Sequence, residues 1–172
     1  MELKSKFRHV ADFPKEGIDF IDITTVLNDS EAFKEAIDAL ASKIDVNNCD
    51  VIVGSEARGF IFGSAVAYKL GLRFVPVRKP GKLPYKTIRG TYDLEYGTDS
   101  LEIHIDAINK GDKAVLVDDL LATGGTMGCV TDMVRELGGT VAKALFLVEL
   151  NGLPGRKLLE EKNVLVESVV EI

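Results

Sequence analysis

Two neighbouring carboxylates, Asp118 and Asp119, follow the aliphatic run Val115-Leu116-Val117 and precede Leu120-Leu121-Ala122-Thr123-Gly124-Gly125-Thr126. Physically this is a buried strand with acids at its C-terminal end, then a small-residue turn opening a helix. Open α/β sheets bind ligands at such strand ends. Gly124 and Gly125 let backbone approach a ligand closely. The free N–H groups of a helix start attract anions, and the Thr123 and Thr126 hydroxyls add donors. Carboxylates beside a phosphate cradle would repel the phosphate unless they faced something else. Vicinal sugar hydroxyls suit them, because a carboxylate accepts hydrogen bonds from O–H groups. A phosphate next to a sugar diol describes a ribose 5-phosphate. A capped helix after a strand explains one Asp and one Gly, but not the whole string.

These residues need a scaffold, and the hydrophobic periodicity supplies one. Asp29 to Ile44 carries a helical stripe (Phe33, Ala36, Ile37, Leu40, Ala41, Ile44), with Asn28, Asp29 or Ser30 as its cap. Asp50 to Gly54 reads as a buried strand, Gly59 to Leu70 as a helix closed by Gly71, and Phe74 to Val77 as a strand. Downstream, a strand at Lys113 to Val117 leads to a helix at Thr126 to Leu137. A long strand at Val141 to Leu150, a short helix at Leu153 to Glu161 and a last strand at Val164 to Val170 follow. Alternating strands and helices predict an α/β fold, a mostly parallel twisted sheet with helices on both faces. The basic segment from Met1 to Val10 looks helical.

One stretch breaks the rhythm. Arg78 to Asp99 holds Pro80, Gly81, Pro84, Gly90 and Gly97 among Lys79, Lys82, Lys86 and Arg89. About 20 residues of connection in a compact domain usually have a functional reason. Leu101 to Ile105 then alternates like a half-exposed strand. A β-arm that opens and closes and a plain surface hairpin both fit this composition.

The 172 residues suit one domain, 46% hydrophobic and 28% charged. A net charge of −6 without a dense Lys/Arg cluster argues against nucleic acid. The absence of an apolar run near ~18 residues argues against a membrane span. Cys49 and Cys129 lie far apart, with no CxxC and no histidine at metal spacing; they read as reduced thiols of a cytoplasmic protein. GxxxxGK(S/T) and GxGxxG are both missing, which weighs against a P-loop NTPase or a dinucleotide-dependent dehydrogenase.

The Val115 to Thr126 string closely resembles the phosphoribosyl pyrophosphate motif of type I phosphoribosyltransferases. Three further segments narrow the resemblance to the adenine phosphoribosyltransferase family. Gly54-Ser55-Glu56-Ala57-Arg58-Gly59-Phe60 is similar to that family's pyrophosphate loop. Arg78 to Pro84 and Leu94-Glu95-Tyr96-Gly97 are similar to the two ends of its catalytic lid (residues 78–99). Phe13 to Thr24 resembles its base-binding segment, within a small N-terminal hood (residues 1–28). The match covers nearly the whole chain in order.

The resemblance implies transfer of a phosphoribosyl group from phosphoribosyl pyrophosphate to adenine, giving AMP and pyrophosphate. Asp118 and Asp119 would hold the ribose hydroxyls, and Ala122, Thr123, Gly124, Gly125 and Thr126 the 5′-phosphate. Glu56, Ala57, Arg58 and Gly59 would bind pyrophosphate, with a cis bond between Glu56 and Ala57, and Arg78 and Lys82 would add charge there. Glu95 and Tyr96 would close over the reacting centre beside Arg58. Phe20 and Leu120 would sandwich the purine, with main chain near Asp19 and Ile21 reading its edge. Mg²⁺ would ride on substrate oxygens with no direct protein ligand, and the assembly would be a homodimer. Ile21 stands where the family usually has Arg or Lys, which leaves another purine (hypoxanthine, guanine or xanthine) as an alternative substrate. A non-catalytic purine sensor on the same fold would call for an added nucleic-acid module or a basic face.

Overall fold

A computed structural model describes residues 2–94 and 96–172. The centre is a five-stranded, wholly parallel sheet in the order β4-β3-β7-β8-β9. Its strands are β3 (Val51–Ser55), β4 (Arg73–Val77), β7 (Lys113–Leu121), β8 (Thr140–Glu149) and β9 (Leu165–Glu171). Period-two alternation divides them between two cores. Ile52, Val115 and Val117 face α2 (Ser30–Ala41) and α3 (Arg58–Leu70), which bury Ala36, Leu40, Phe62 and Val66. Val51, Val53, Ala114 and Leu116 face α4 (Gly125–Glu136) and α5 (Gly155–Glu161), which contribute Met127, Val130, Met133 and Leu159. Helices on both faces and a parallel sheet are as the periodicity predicts.

Local signals explain the helix ends. The Asp29 carboxylate accepts from the N–H groups of Glu31 and Ala32 (both 3.1 Å), capping α2. Gly71, at φ 68°, ends α3 in the left-handed conformation that costs glycine least. Pro154 rather than Leu153 borders α5, whose first helical residue is Gly155.

Three features depart from the sequence reading. The N-terminal segment is only a 3₁₀ turn at Leu3–Lys6, which holds Lys4 and Lys6; Arg8 then opens β1 (Arg8–Ala11), which pairs antiparallel with β2 (Asp19–Asp22). These strands form a hood separate from the main sheet, followed by the one-turn α1 (Thr24–Leu27). The second departure is in β7, which runs on to Leu121, so Asp118 and Asp119 lie within the strand rather than beyond it. The third is the extent of regular pairing in the arm: β5 (Thr87–Asp93) runs through what reads as connection, and β6 (Thr98–His104) starts before Leu101. Leu101 and Ile103 of β6 are fully buried in the α4 core, so the root of the arm is anchored.

Candidate active site

The strand order reverses direction between β3 and β7: from β3 the chain proceeds to β4 on one side, and from β7 to β8 and β9 on the other. Such a switch point opens a crevice at the carboxyl ends of the strands. There β3 delivers Ser55 and Glu56, and β7 delivers Asp118 and Asp119.

Asp118 and Asp119 alternate across the sheet and so occupy different surroundings. Asp118 is enclosed by α3: a Cβ added to Gly59 would lie 2.7 Å from its Oδ1. Its carboxylate accepts from its neighbour's backbone, Asp119 N–H (2.9 Å), and lies 3.5 Å from Ser55 Oγ. Burial, and then the negative charge of Asp119, hold the Asp118 carboxyl well above the ordinary carboxylate range. Asp119 is buried and bound by Arg58, whose Nε sits 2.8 Å from Oδ2. The same guanidinium lies over the Phe20 ring, 5.8 Å from its centroid. Arg58 therefore joins β7 to the hood.

Beyond β7, Ala122 to Thr126 wrap a cavity of about 100 Å³ that Asp118, Leu120 and Phe146 also line. Gly124 caps α4 at φ 82°. The first amide bonded inside the helix is that of Gly128, to the Gly124 carbonyl (2.9 Å). Helix geometry thus leaves the N–H groups of Gly125, Thr126 and Met127 without intrahelical acceptors, at the positive end of the helix dipole. The two glycines also have packing roles that composition did not reveal. A Cβ on Gly124 would come within 2.9 Å of the Gly155 backbone, and one on Gly125 within 3.0 Å of the Tyr92 ring.

The peptide between Glu56 and Ala57 is cis, as the family resemblance implied. Ala57 precedes α3, and the Glu56 side chain turns to the arm, accepting from Lys79 N–H (2.7 Å) and Arg78 Nε (3.2 Å). Arg78 is thereby brought to this loop, with its guanidinium 5.9 Å from the Phe60 centroid. Lys82 is exposed on the arm, and Tyr96 is 85% exposed at its far end. Glu95 lies outside the described residues.

In the hood, Phe20 is half-buried, with Phe13 edge-on at 5.1 Å between centroids; Val10 and Asp22 complete an apolar slot of about 190 Å³. Leu120 is half-buried at the end of β7. Asp19 is exposed and paired with His9 (Nδ1–Oδ2 2.7 Å). Ile21 is buried in the core beneath the hood, so its side chain does not face the slot and only its main chain is available to a base. A larger cavity, about 500 Å³, opens at the opposite end of the sheet beside Lys43, Lys113 and Lys143. No acid pair or glycine-rich turn lines it.

Sequence reasoning missed Ser55, the contact of Gly59 with Asp118, and Tyr92. Only Gly59 had a visible signal, a glycine in the first turn of a helix where alanine would be favoured.

The geometry defines a class: an α/β domain with paired acids running into an anion cradle. The phosphoribosyl transferase domain model matches residues 24–169. The adenine phosphoribosyltransferase of Acetivibrio thermocellus is 58% identical over 172 residues, covering 99% of both chains. That of Clostridium novyi is 57% identical over 165 residues, covering 96% of each. Among solved structures, the adenine phosphoribosyltransferase of Thermoanaerobacter pseudethanolicus superposes with a TM-score of 0.95 at 51% identity, covering 99% of this chain and 98% of that one. The enzyme of Saccharomyces cerevisiae, complexed with an imino-altritol bisphosphate and adenine, gives 0.90 at 39%, covering 97% and 96%. The chain belongs to the adenine phosphoribosyltransferases, within the phosphoribosyl transferase domain family.

Proposed function

We propose that the chain transfers the 5-phosphoribosyl group of phosphoribosyl pyrophosphate to adenine, giving AMP and pyrophosphate in purine salvage. The observation that carries the reading is the continuity of Asp118 and Asp119 with the cradle from Ala122 to Thr126: one segment offers acceptors for a sugar diol and donors for its phosphate. In the reaction a ring nitrogen of the base attacks the anomeric carbon as the bond to pyrophosphate breaks. Positive charge develops on the ribose and negative charge on the leaving group. Catalysis by this chain is then positional and electrostatic. Asp118 and Asp119 accept from the ribose hydroxyls and hold the ring. Arg58, Arg78, Lys82 and the amides from Glu56 to Gly59 receive the pyrophosphate, for which Arg58 exchanges Asp119 for the leaving group. Phe20 and Leu120 stack on the purine, and backbone at Asp19 and Ile21 reads its edge. Glu95 and Tyr96, at the arm's end, complete the centre and exclude water from an oxocarbenium-like carbon. Since β6 is rooted in the core, closure falls to the ends of the arm.

The donor set fits Mg²⁺ carried by the substrate. Mg²⁺ is commonly held by one or two carboxylates together with phosphates and waters, and pyrophosphate supplies such phosphate oxygens. When bound it would neutralise pyrophosphate charge. Family membership supports a homodimer in the cytoplasm, to be tested by sedimentation and by cell fractionation. Among the described residues, no helix is long and apolar enough to cross a membrane.

The test is pyrophosphate release with phosphoribosyl pyrophosphate, Mg²⁺ and each of adenine, hypoxanthine, guanine and xanthine. Adenine should exceed the others by a wide margin. A 6-oxopurine preference would overturn the choice of base, and no release with any purine would favour a sensor.

A further inference from the structure

The cradle and the pyrophosphate loop sit at opposite ends of the site, yet one series of contacts along the arm joins them. It starts at Thr126, whose Oγ1 lies 3.3 Å from the Tyr92 hydroxyl. Tyr92 Oη lies 3.4 Å from Asp99 Oδ2, the residue opposite it across the β5–β6 hairpin. Asp99 is ion-paired with the Lys79 ammonium. The Lys79 backbone N–H in turn donates to Glu56 Oε1, 2.7 Å away, in the pyrophosphate loop. The two contacts of the Tyr92 hydroxyl are longer than the usual 2.5–3.0 Å of O–H···O bonds. The hydroxyl is shared between the cradle and the arm and committed to neither. Its ring is fixed more firmly, on the bare Gly125 backbone, where any Cβ would meet Tyr92 Cδ2 at 3.0 Å. A side chain seated on the cradle floor, with its polar end between the two sides, is placed to register what the cradle holds.

We propose that Tyr92 is a positioning residue that couples occupation of the 5′-phosphate cradle to the pyrophosphate side of the site. When a phosphate oxygen accepts the hydrogen bond of the Thr126 hydroxyl, Tyr92 loses that donor and settles on Asp99. The Asp99–Lys79 pair then sets the bend at Lys79 and, through its N–H, the Glu56 carboxylate. The inference rests on the assignment of Gly124 to Thr126 to the 5′-phosphate, and it adds a residue outside the segments that resemble the family's motifs.

The experiment is a linkage measurement. Pyrophosphate affinity is titrated calorimetrically in the presence of Mg²⁺, with and without saturating ribose 5-phosphate, for the wild-type chain and Tyr92→Phe. Phenylalanine keeps the ring on Gly125 and removes only the hydroxyl, so the fold and the cradle floor remain. In the wild type, ribose 5-phosphate should change pyrophosphate affinity by about fivefold or more, the usual lower range of coupling between sites. In Tyr92→Phe the factor should fall towards one, while ribose 5-phosphate affinity stays within about threefold of wild type. A factor of one in the wild type, or an undiminished factor in Tyr92→Phe, overturns the proposal. Gly125→Val separates this from the underlying assignment. If that variant binds ribose 5-phosphate as well as wild type does, the cradle itself is misassigned, whatever Tyr92 does.

Discussion

A carboxyl group whose surroundings penalise its charge is a poor stabiliser of a fold and a ready acceptor once a partner balances that charge. Asp118 is such a group: burial and the adjacent Asp119 raise its pKa well above the ordinary 3.8. Because the folded value exceeds the unfolded one, ionising Asp118 costs stability. The penalty is absent below the ordinary pKa, grows as pH rises and is complete above the folded pKa. Asp118→Asn should therefore raise the melting temperature of the ligand-free protein at neutral pH, with a gain that shrinks as pH falls towards about 4. The same change should lower kcat/KM, since a charge-assisted hydrogen bond to ribose contributes roughly 1.5–3 kcal/mol. Thermal scans across pH, alongside initial rates, check both signs; a variant that is less stable at neutral pH would contradict the account of burial. Gly59 makes a companion case. Alanine is favoured over glycine inside a helix by about 1 kcal/mol, yet here its Cβ would collide with Asp118 Oδ1. Gly59→Ala should cost at least about tenfold in kcat/KM, by displacing a carboxylate whose hydrogen bond is of that order or stronger, while α3 stays folded by circular dichroism. Wild-type activity in Gly59→Ala would show that Asp118 can move without consequence.

At the scale of elements, α5 carries a duty that its composition hides. Its first residue, Gly155, donates to the Ala122 carbonyl (3.1 Å) and packs against Gly124, so its position sets that of the cradle. The helix is fixed by a buried carboxylate, Glu149 at the end of β8. Glu149 accepts from Arg156 Nε (2.8 Å) and from a second guanidinium nitrogen (2.6 Å), while Ser168 of β9 donates to it (2.9 Å). Arg156 also donates to the Val166 carbonyl (2.8 Å). Arg156→Ala would leave Glu149 buried with a single hydroxyl. Breaking such a pair is costly, and partial exposure of Arg156 reduces the loss to about 2 kcal/mol. Arg156, and then Ser168, hold the Glu149 pKa below its ordinary 4.5. This stabilisation is thus complete above that value and is lost as pH falls from there through the folded pKa. Urea melts should show a constant deficit for Arg156→Ala near neutrality that closes in acid; a deficit independent of pH down to acid would place it in packing alone. The main elements were legible because each is long and strongly periodic. Periodicity in Asp29 to Ile44 and β-branching in Val51 to Val53 nearly fix α2 and β3. The hood was not legible. Strands of four residues, one of them basic and mostly exposed, carry no alternation strong enough to outweigh a helical reading of Met1 to Val10. The acids of β7 were placed past the strand for a related reason: polar residues read as an end, whereas here the ladder to β8 continues beneath them through Leu121.

The described residues form three sheets around one crevice: the main sheet, the β1–β2 hood and the β5–β6 arm. The segment that brings an acid pair to a glycine-rich turn was legible in the sequence, because that combination has few other uses. The mutual placement of the site's residues was not. The bridge of Arg58 between Phe20 and Asp119 joins residues of the hood, α3 and β7, and no local pattern announces a contact of that range. The division into three sheets makes a prediction at its own scale. If the proposed assignments hold, each ligand fragment touches a different pair of sheets and should order a different part. On the proposed assignment, ribose 5-phosphate would occupy the cradle and, through Tyr92, engage the arm. On the same reading, adenine would add the hood by stacking on Phe20 beside its apolar slot. Amide hydrogen exchange reports such local stability, because opening energies differ between cooperative units. Ligand-linked stabilisation reaches about 2.7 kcal/mol at a hundredfold excess over Kd, roughly a hundredfold slowing of exchange wherever opening releases the ligand. With ribose 5-phosphate alone, protection should rise in residues 87–104 and 122–128, and residues 8–22 should exchange as in the free protein. With AMP, residues 8–22 should join them. The strands β8 and β9 are already in the core, and their exchange should change only as far as global unfolding contributes. Hood protection by ribose 5-phosphate alone would mean that Arg58 transmits ribose binding to Phe20 without a base. Protection by AMP confined to the main sheet would mean that neither the hood nor the arm takes part in binding, and that the crevice works through β3 and β7 alone.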